Sequence, residues 1–297
     1  MEKNSGKKFL NKVVFAVGTG RCGTTFLYRL YALEANVASC HERNPLNETF
    51  HRYCKWYDLP VDHEGFLHEK EKEICQDLEE AAISFESSAY LSFSIKELYE
   101  RFGAKFILMI RSPEKVVSSY LTKGWFEKEV ITSNPALALG YQPHKNFHHF
   151  LGRTIPRGDE LSKWRQMSRV GKLAWFWATL NLQVADLLSE LPDDAYRIQK
   201  LEDLTYERYR DLTSFSGFTT GLNRNQYHAL VNERPNAFKN VRTIDHWSEE
   251  EREEFETQVK SAAQSFHYEY KIKNLIKPSL PESLSLWSRL RKRFFPE

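Results

Sequence analysis

The sequence predicts an α/β fold: a single domain with a central, mostly parallel sheet flanked by helices. Three observations predict it. Short apolar runs of strand length alternate with stretches of helical period. One of those runs, Phe106 to Ile110, is apolar at every position, as a strand buried on both faces must be. A glycine-rich turn lies between the first strand and the first helix, where α/β folds place a ligand loop.

Element by element, Val13–Val17 is a β-branched and aromatic strand, and Gly18-Thr19-Gly20-Arg21-Cys22-Gly23 follows as a loop. Thr24 to Ala35 then carries Phe26, Leu27, Leu30 and Leu33 at helical spacing. A short strand, Asn36 to Cys40, runs into residues 41–48, whose Pro45, Asn44 and Asn47 predict a loop. Residues 64–80 are charged and helix-prone, Ala82–Phe85 fits a strand, and Ser92–Phe102 reads as an amphipathic helix. The buried strand stops abruptly at Arg111. Residues 124–167, with Pro135, Pro143, Pro156 and a histidine cluster, predict a long insertion over the sheet. Arg169–Leu191 is apolar on more than one side and predicts a largely buried helix ended by Pro192, before a last strand at Tyr196–Leu201. Helices follow at 205–215 and 249–265, the second with Ser248 and Glu251 in a capping-box pattern. The domain is expected to span 1–275, leaving 276–297 as a basic amphipathic tail.

Composition narrows the function classes. At 41% apolar and 28% charged over 297 residues, the chain is that of a globular protein and not of a disordered or fibrous one. Its 42 Lys and Arg nearly balance 40 Asp and Glu, leaving +2, so anions must be attracted by a local site; a general nucleic-acid binder is not expected. Four cysteines, Cys22, Cys40, Cys54 and Cys75, lack CxxC or zinc-ligand spacing and read as reduced thiols. No apolar run has the length of a signal peptide core or a membrane span, which predicts a cytoplasmic location. The tail segment 284–295 mixes aromatic residues with four bases. A helix docked on the body is preferred for it over peripheral contact with an anionic membrane.

The most informative segment is Gly18-x-x-x-x-Gly23-Thr24-Thr25, in which backbone N–H groups and a helix N-terminus can wrap a phosphate. It departs from a Walker loop: the position of the lysine is Thr24, and the nearest base is Arg21. The second buried strand ends in Arg111, where a metal-dependent NTPase would carry an aspartate. The pattern describes a nucleotide site neutralised by arginines and hydroxyls with no metal requirement.

The loop GTGRCGTT (18–25) and the segment RSPEKVVSSY (111–120) together resemble the two nucleotide motifs of sulfotransferases that use 3′-phosphoadenosine 5′-phosphosulfate (PAPS). Lys200-Leu201-Glu202-Asp203-Leu204 is similar to that family's Tyr-Glu-Asp-Leu segment, and His246-Trp247 and Phe266-His267-Tyr268 add weaker likeness, so the resemblance spans roughly residues 12–270. It implies that Gly20, Arg21, Cys22, Gly23, Thr24 and Thr25 hold the 5′-phosphosulfate. Arg111 and Ser119, eight residues apart, would hold the 3′-phosphate, with Lys123 as a further candidate. Lys239 and Arg242 would fold over the nucleotide, although the Arg-Lys-Gly motif of the phenol and steroid enzymes is absent. PAP would be the product. Arg21 is the candidate for stabilising charge on the leaving oxygen. The family's base, His or Glu after the second strand, corresponds here to Glu42 or His41, with Glu48 third. Glu86, Trp125 and His148 are candidate acceptor contacts, and His144, His148 and His149 are not expected to bind metal. The acceptor itself, whether small molecule, carbohydrate or lipid-linked, stays open. A degenerate P-loop kinase or NTPase and a non-catalytic nucleotide-binding protein are the alternatives.

Overall fold

The five strands β1 (Val13–Gly18), β2 (Val37–His41), β3 (Ile83–Ser87), β4 (Lys105–Ile110) and β5 (Tyr196–Lys200) form one parallel sheet in the order β2-β3-β1-β4-β5. This computed structural model describes residues 8–127, 153–233 and 241–268. Alternation along the strands divides the core in two. Val13, Phe15 and Val17 of β1, with Phe106, Leu108 and Ile110 of β4, face one cluster; Val14, Ala16, Ile107 and Met109 face the other. Because both faces are covered, β1 and β4 are apolar at nearly every position, which is why the sequence reads as a continuous run there.

On the first face lie α3 (His63–Glu80), α4 (Ile95–Phe102), α5 (Pro113–Thr122), the long α7 (Arg169–Ser189) and α10 (Glu249–Ser265). On the second lie α1 (Thr24–Tyr31), α8 (Tyr206–Phe215) and α9 (Arg224–Glu233). Two further helices are α2 (Pro45–Trp56) and α6 (Glu160–Gln166). The capping box read at Ser248 and Glu251 is present at the start of α10.

Three expectations are corrected. First, residues 41–48 are not one loop: Asn44 accepts a hydrogen bond from the Asn47 amide and Pro45 occupies the first turn, so all three loop-marking residues belong to the start of α2. Second, the first helix stops at Tyr31 and not Ala35, because Glu34 turns inward to accept hydrogen bonds from Tyr209 Oη (2.6 Å) and the Gly221 amide (2.8 Å). Third, 92–102 is split into a 3-10 turn (Ala89–Phe93) and α4. Within the expected insertion, 153–167 contains α6; residues 128–152 lie outside the described residues.

Strand order positions the site. From β1 the chain crosses to β2 and β3 on one side, then to β4 and β5 on the other. The loops leaving β1 and β4 therefore diverge above adjacent strand ends, with Gly18 paired to Met109, and open a crevice at the carboxyl edge of the sheet. Among the described residues, no helix is long and apolar enough to cross a membrane.

Candidate active site

The loop 18–23 is held open from below. Gly18, Gly20 and Gly23 have positive φ (156°, 76° and 104°), and so does Arg21 at 57°. A Cβ on Gly20 would come within 2.5 Å of Tyr120 Oη, and one on Gly23 within 2.7 Å of Leu201 Cδ1. Buried hydroxyls bind the loop carbonyls: Tyr120 to Thr19, Ser92 to Gly18 (3.0 Å) and Ser87 to Thr24 (3.0 Å). Gly23 at the start of α1 supplies no side-chain cap, and the first turn holds no acidic residue, which leaves an N-terminus suited to an anion. Cys22 points the other way, fully buried in the core, so only its backbone faces the loop interior, and burial pushes its thiol pKa up.

The second segment meets this loop directly. Arg21 Nε donates to Ser119 Oγ (2.8 Å), and Arg111 Nη1 donates to the Arg21 carbonyl (3.3 Å). Trp177 Nε1 holds the Arg111 carbonyl (3.0 Å), and Glu202 accepts from the Ser112 amide (3.0 Å) and from Tyr268 Oη (3.1 Å). Leu201, where the related segment has tyrosine, packs on Gly23.

Across the crevice, β2 ends at His41, whose Nε2 lies 3.0 Å from Thr25 Oγ1. Burial lowers the His41 pKa. Glu42 follows with φ 49°, its amide still bound to the Ser87 carbonyl (3.1 Å). Burial pushes its carboxyl up to about 7, the nearby Glu48 charge adding to the effect while Lys123 and Arg52 oppose it. Lys123, read above as a contact to the 3′-phosphate, has Arg21, Glu42 and Arg153 as its electrostatic neighbours and so belongs to this side.

Glu48 and Glu86 face inward. Lys70 Nζ, 1% exposed, lies 2.6 Å from Glu48, 2.8 Å from Glu86 and 2.9 Å from Glu73. Glu48 also accepts from Ser88 and the Asn44 amide, and Glu86 from the Arg43 amide. Burial raises both carboxyls; Lys70 and hydrogen bonds outweigh it at Glu48, whose pKa falls, whereas the Glu48 charge keeps that of Glu86 high. These two glutamates orient the 41–48 turn from beneath and are correspondingly unsuited to open solvent chemistry, a correction to the reading of Glu48 as a base and Glu86 as an acceptor contact. Trp125 is likewise a packing residue, 5% exposed and 4.1 Å between ring centroids from Tyr120. Arg242 pairs with Glu251 at the start of α10. Lys239, His144, His148, His149 and the 276–297 tail lie outside the described residues.

The reading from sequence missed Tyr120, Lys70 and Arg52. Tyr120 adjoins Ser119, but nothing in sequence links Lys70 to Glu48 or Arg52 to Ala89.

No family profile and no curated protein matches the chain in sequence. Solved structures do match in shape. The sulfotransferase domain of the Synechococcus PCC 7002 olefin synthase superposes with a TM-score of 0.51 at 14% identity, over 91% of this chain and 99% of that one. A sulfotransferase domain from the curacin biosynthetic pathway matches with a TM-score of 0.47 at 12% identity, over 88% and 99%. At such identity the olefin synthase likeness establishes the α/β fold alone.

Proposed function

We propose that this chain is a sulfotransferase, moving a sulfuryl group from PAPS to a hydroxyl or amine acceptor by in-line displacement. The observation that carries the reading is the direct contact of the two arginine-bearing phosphate segments, Arg21 to Ser119 and Arg111 to the Arg21 carbonyl, at the switch point of the sheet. The residues present fit a nucleotide with phosphate groups at both ends. Positive-φ glycines give the loop room for an anion, α1 begins uncapped, and each segment brings a guanidinium.

PAPS supplies the sulfuryl group and a phosphate leaving group. The chain supplies position and charge. Amides of residues 20–25 and the hydroxyl of Thr25 would hold the 5′ end, while Arg111 and Ser119 would hold the 3′-phosphate. Arg21 would lie near the phosphate leaving group and supply positive charge there, favouring the transition state over the ground state. Glu42 takes the acceptor proton: its half-buried position brings its affinity for a proton close to neutrality, the range in which a general base is most effective. His41, hydrogen-bonded to Thr25, would link the turn bearing that base to the nucleotide loop, and burial favours the neutral form of its imidazole.

Calorimetric titration with PAP, AMP and ATP, in EDTA and then with Mg²⁺, tests the reading. Tight binding of PAP in EDTA is expected, with AMP and ATP much weaker. In Arg111→Ala the preference for a 3′-phosphate should disappear, a loss of about 1.5–3 kcal/mol for a charge-assisted contact. ATP binding that requires Mg²⁺ would move the protein to the kinase and NTPase side.

A further inference from the structure

We propose that the acceptor carries an oxyanion, a carboxylate or phosphate, beside the group that is sulfated, and that Arg52 is its receptor with Arg153 as a second cation. The proposal rests on the sulfotransferase reading and names its substrate class.

Arg52 comes from α2 and is 1% exposed. Its Nη1 donates to the Ala89 carbonyl (3.1 Å), and the guanidinium lies over the Phe93 ring, 5.3 Å from its centroid. Nε and Nη2 are buried and have no hydrogen-bond partner among the described residues. These two donors form one edge of the guanidinium, spaced as the two oxygens of a carboxylate or phosphate require. A buried arginine that served packing alone would spend its donors on carbonyls, because leaving them unmade in a low-dielectric site is costly. An edge left unpaired in this way is a socket for an anion.

Its surroundings assign the socket to the acceptor side. Ala89, whose carbonyl Arg52 holds, lies against Gly20. The groups in electrostatic reach of Arg52 are Tyr120, Tyr90 and Glu42. Tyr90 and Tyr120 are neighbours of Arg153 as well, and Arg153 sits over the Trp125 ring at 5.4 Å. Lys123 adds a further positive charge near Glu42. Glu42 thus has Arg52 and Lys123 among its electrostatic neighbours, together with Glu48. An anionic acceptor would be held by the Arg52 fork, which fixes its hydroxyl relative to Glu42.

The test is calorimetry on the full chain with glycerol 3-phosphate, and with glycerol as the neutral counterpart, in the absence and presence of saturating PAP to occupy the loop. Glycerol 3-phosphate is expected to bind in both conditions and glycerol in neither. Arg52→Met should weaken glycerol 3-phosphate about tenfold or more, with Arg52→Lys intermediate, since lysine keeps the charge and loses the fork. PAP affinity should be unchanged in both variants. Because Arg52→Met removes the unpaired donors together with the charge, its melting temperature should equal or exceed that of the wild type; the comparison with Arg52→Lys holds should it not. Equal glycerol 3-phosphate affinity in wild type and Arg52→Met, or no binding to wild type, overturns the proposal. So does a matching loss of PAP affinity, which would put Arg52 in the nucleotide site. Failure of PAP to bind the wild type overturns the nucleotide reading by itself, and the Arg52 dependence of glycerol 3-phosphate binding still decides the anion site.

Discussion

Arg21 and Glu42 share a backbone conformation that side chains resist. Both lie in the left-handed region, at a cost of about 1 kcal/mol or more each, so the surrounding loops must impose it. Strain of this kind clusters where side chains must point in one direction for chemistry. Arg21→Ala should lower the single-turnover rate about 10²-fold, as loss of one transition-state donor does, with a smaller effect on PAP affinity than Arg111→Ala. On the proposed mechanism the Glu42 carboxyl, raised to about 7, must be ionised to act, so kcat/KM should fall as pH drops below about 7 and be low and flat in Glu42→Gln. The same shift acts on stability with a definite sign. A carboxyl that holds its proton more tightly when folded costs nothing below its ordinary value of 4.5, costs progressively more as pH rises to about 7, and is constant above. Glu42→Gln should therefore melt higher than wild type above pH 7 and alike near pH 4, which thermal denaturation across pH would read. The positions of Arg21 after β1 and of Glu42 after β2 were legible in sequence; the roles given to them belong to the proposed function. What was not legible was the choice between Glu42 and its neighbours, because burial, which separates Glu42 from Glu48, is a property of packing and not of the chain.

At the scale of elements, the crevice is made by two strand–turn–helix units sharing hydrogen bonds. β1, its loop and α1 were read directly, since a glycine turn between an apolar strand and a helical stripe has a local signature. The helix after Arg111 was not read, although Pro113 begins it, and its contribution is specific: it carries Ser119 to Arg21 and Tyr120 beneath Thr19. Gly20 and Tyr120 are complementary, the missing side chain making room for the hydroxyl. Gly20→Ala would strain a residue at φ 76° and place a methyl 2.5 Å from Tyr120 Oη. It should destabilise the fold by about 1–3 kcal/mol in chemical denaturation and reduce PAP binding sharply. α2 shows how a local signal misleads: Asn44 and Pro45 are turn residues and also helix starters, and only the Asn47 amide bonded to Asn44 decides between them.

Over the whole molecule, the turn bearing His41 and Glu42 rests on a buried charge network joining α2, α3 and β3. Lys70 is its centre, with carboxylates from Glu48, Glu73 and Glu86 around it. Lys70→Met should cost about 3–5 kcal/mol in chemical denaturation, because it leaves the buried Glu48 carboxylate without its cation. Its effect should be strongest where Glu48 is ionised and be relieved at low pH, where Glu48 takes up a proton. The sequence by itself determined the α/β class, the apolar strands β1 and β4 and the phosphate-type loop between β1 and α1, because periodicity and glycine placement act over a few neighbouring residues. Tertiary structure alone decided which charged residues are buried and what they meet: Lys70 beneath the turn, Tyr120 under the loop, Arg52 with an unpaired edge beside Ala89. Those contacts join residues tens of positions apart, and their energies depend on desolvation, which exists only once the chain has closed around them.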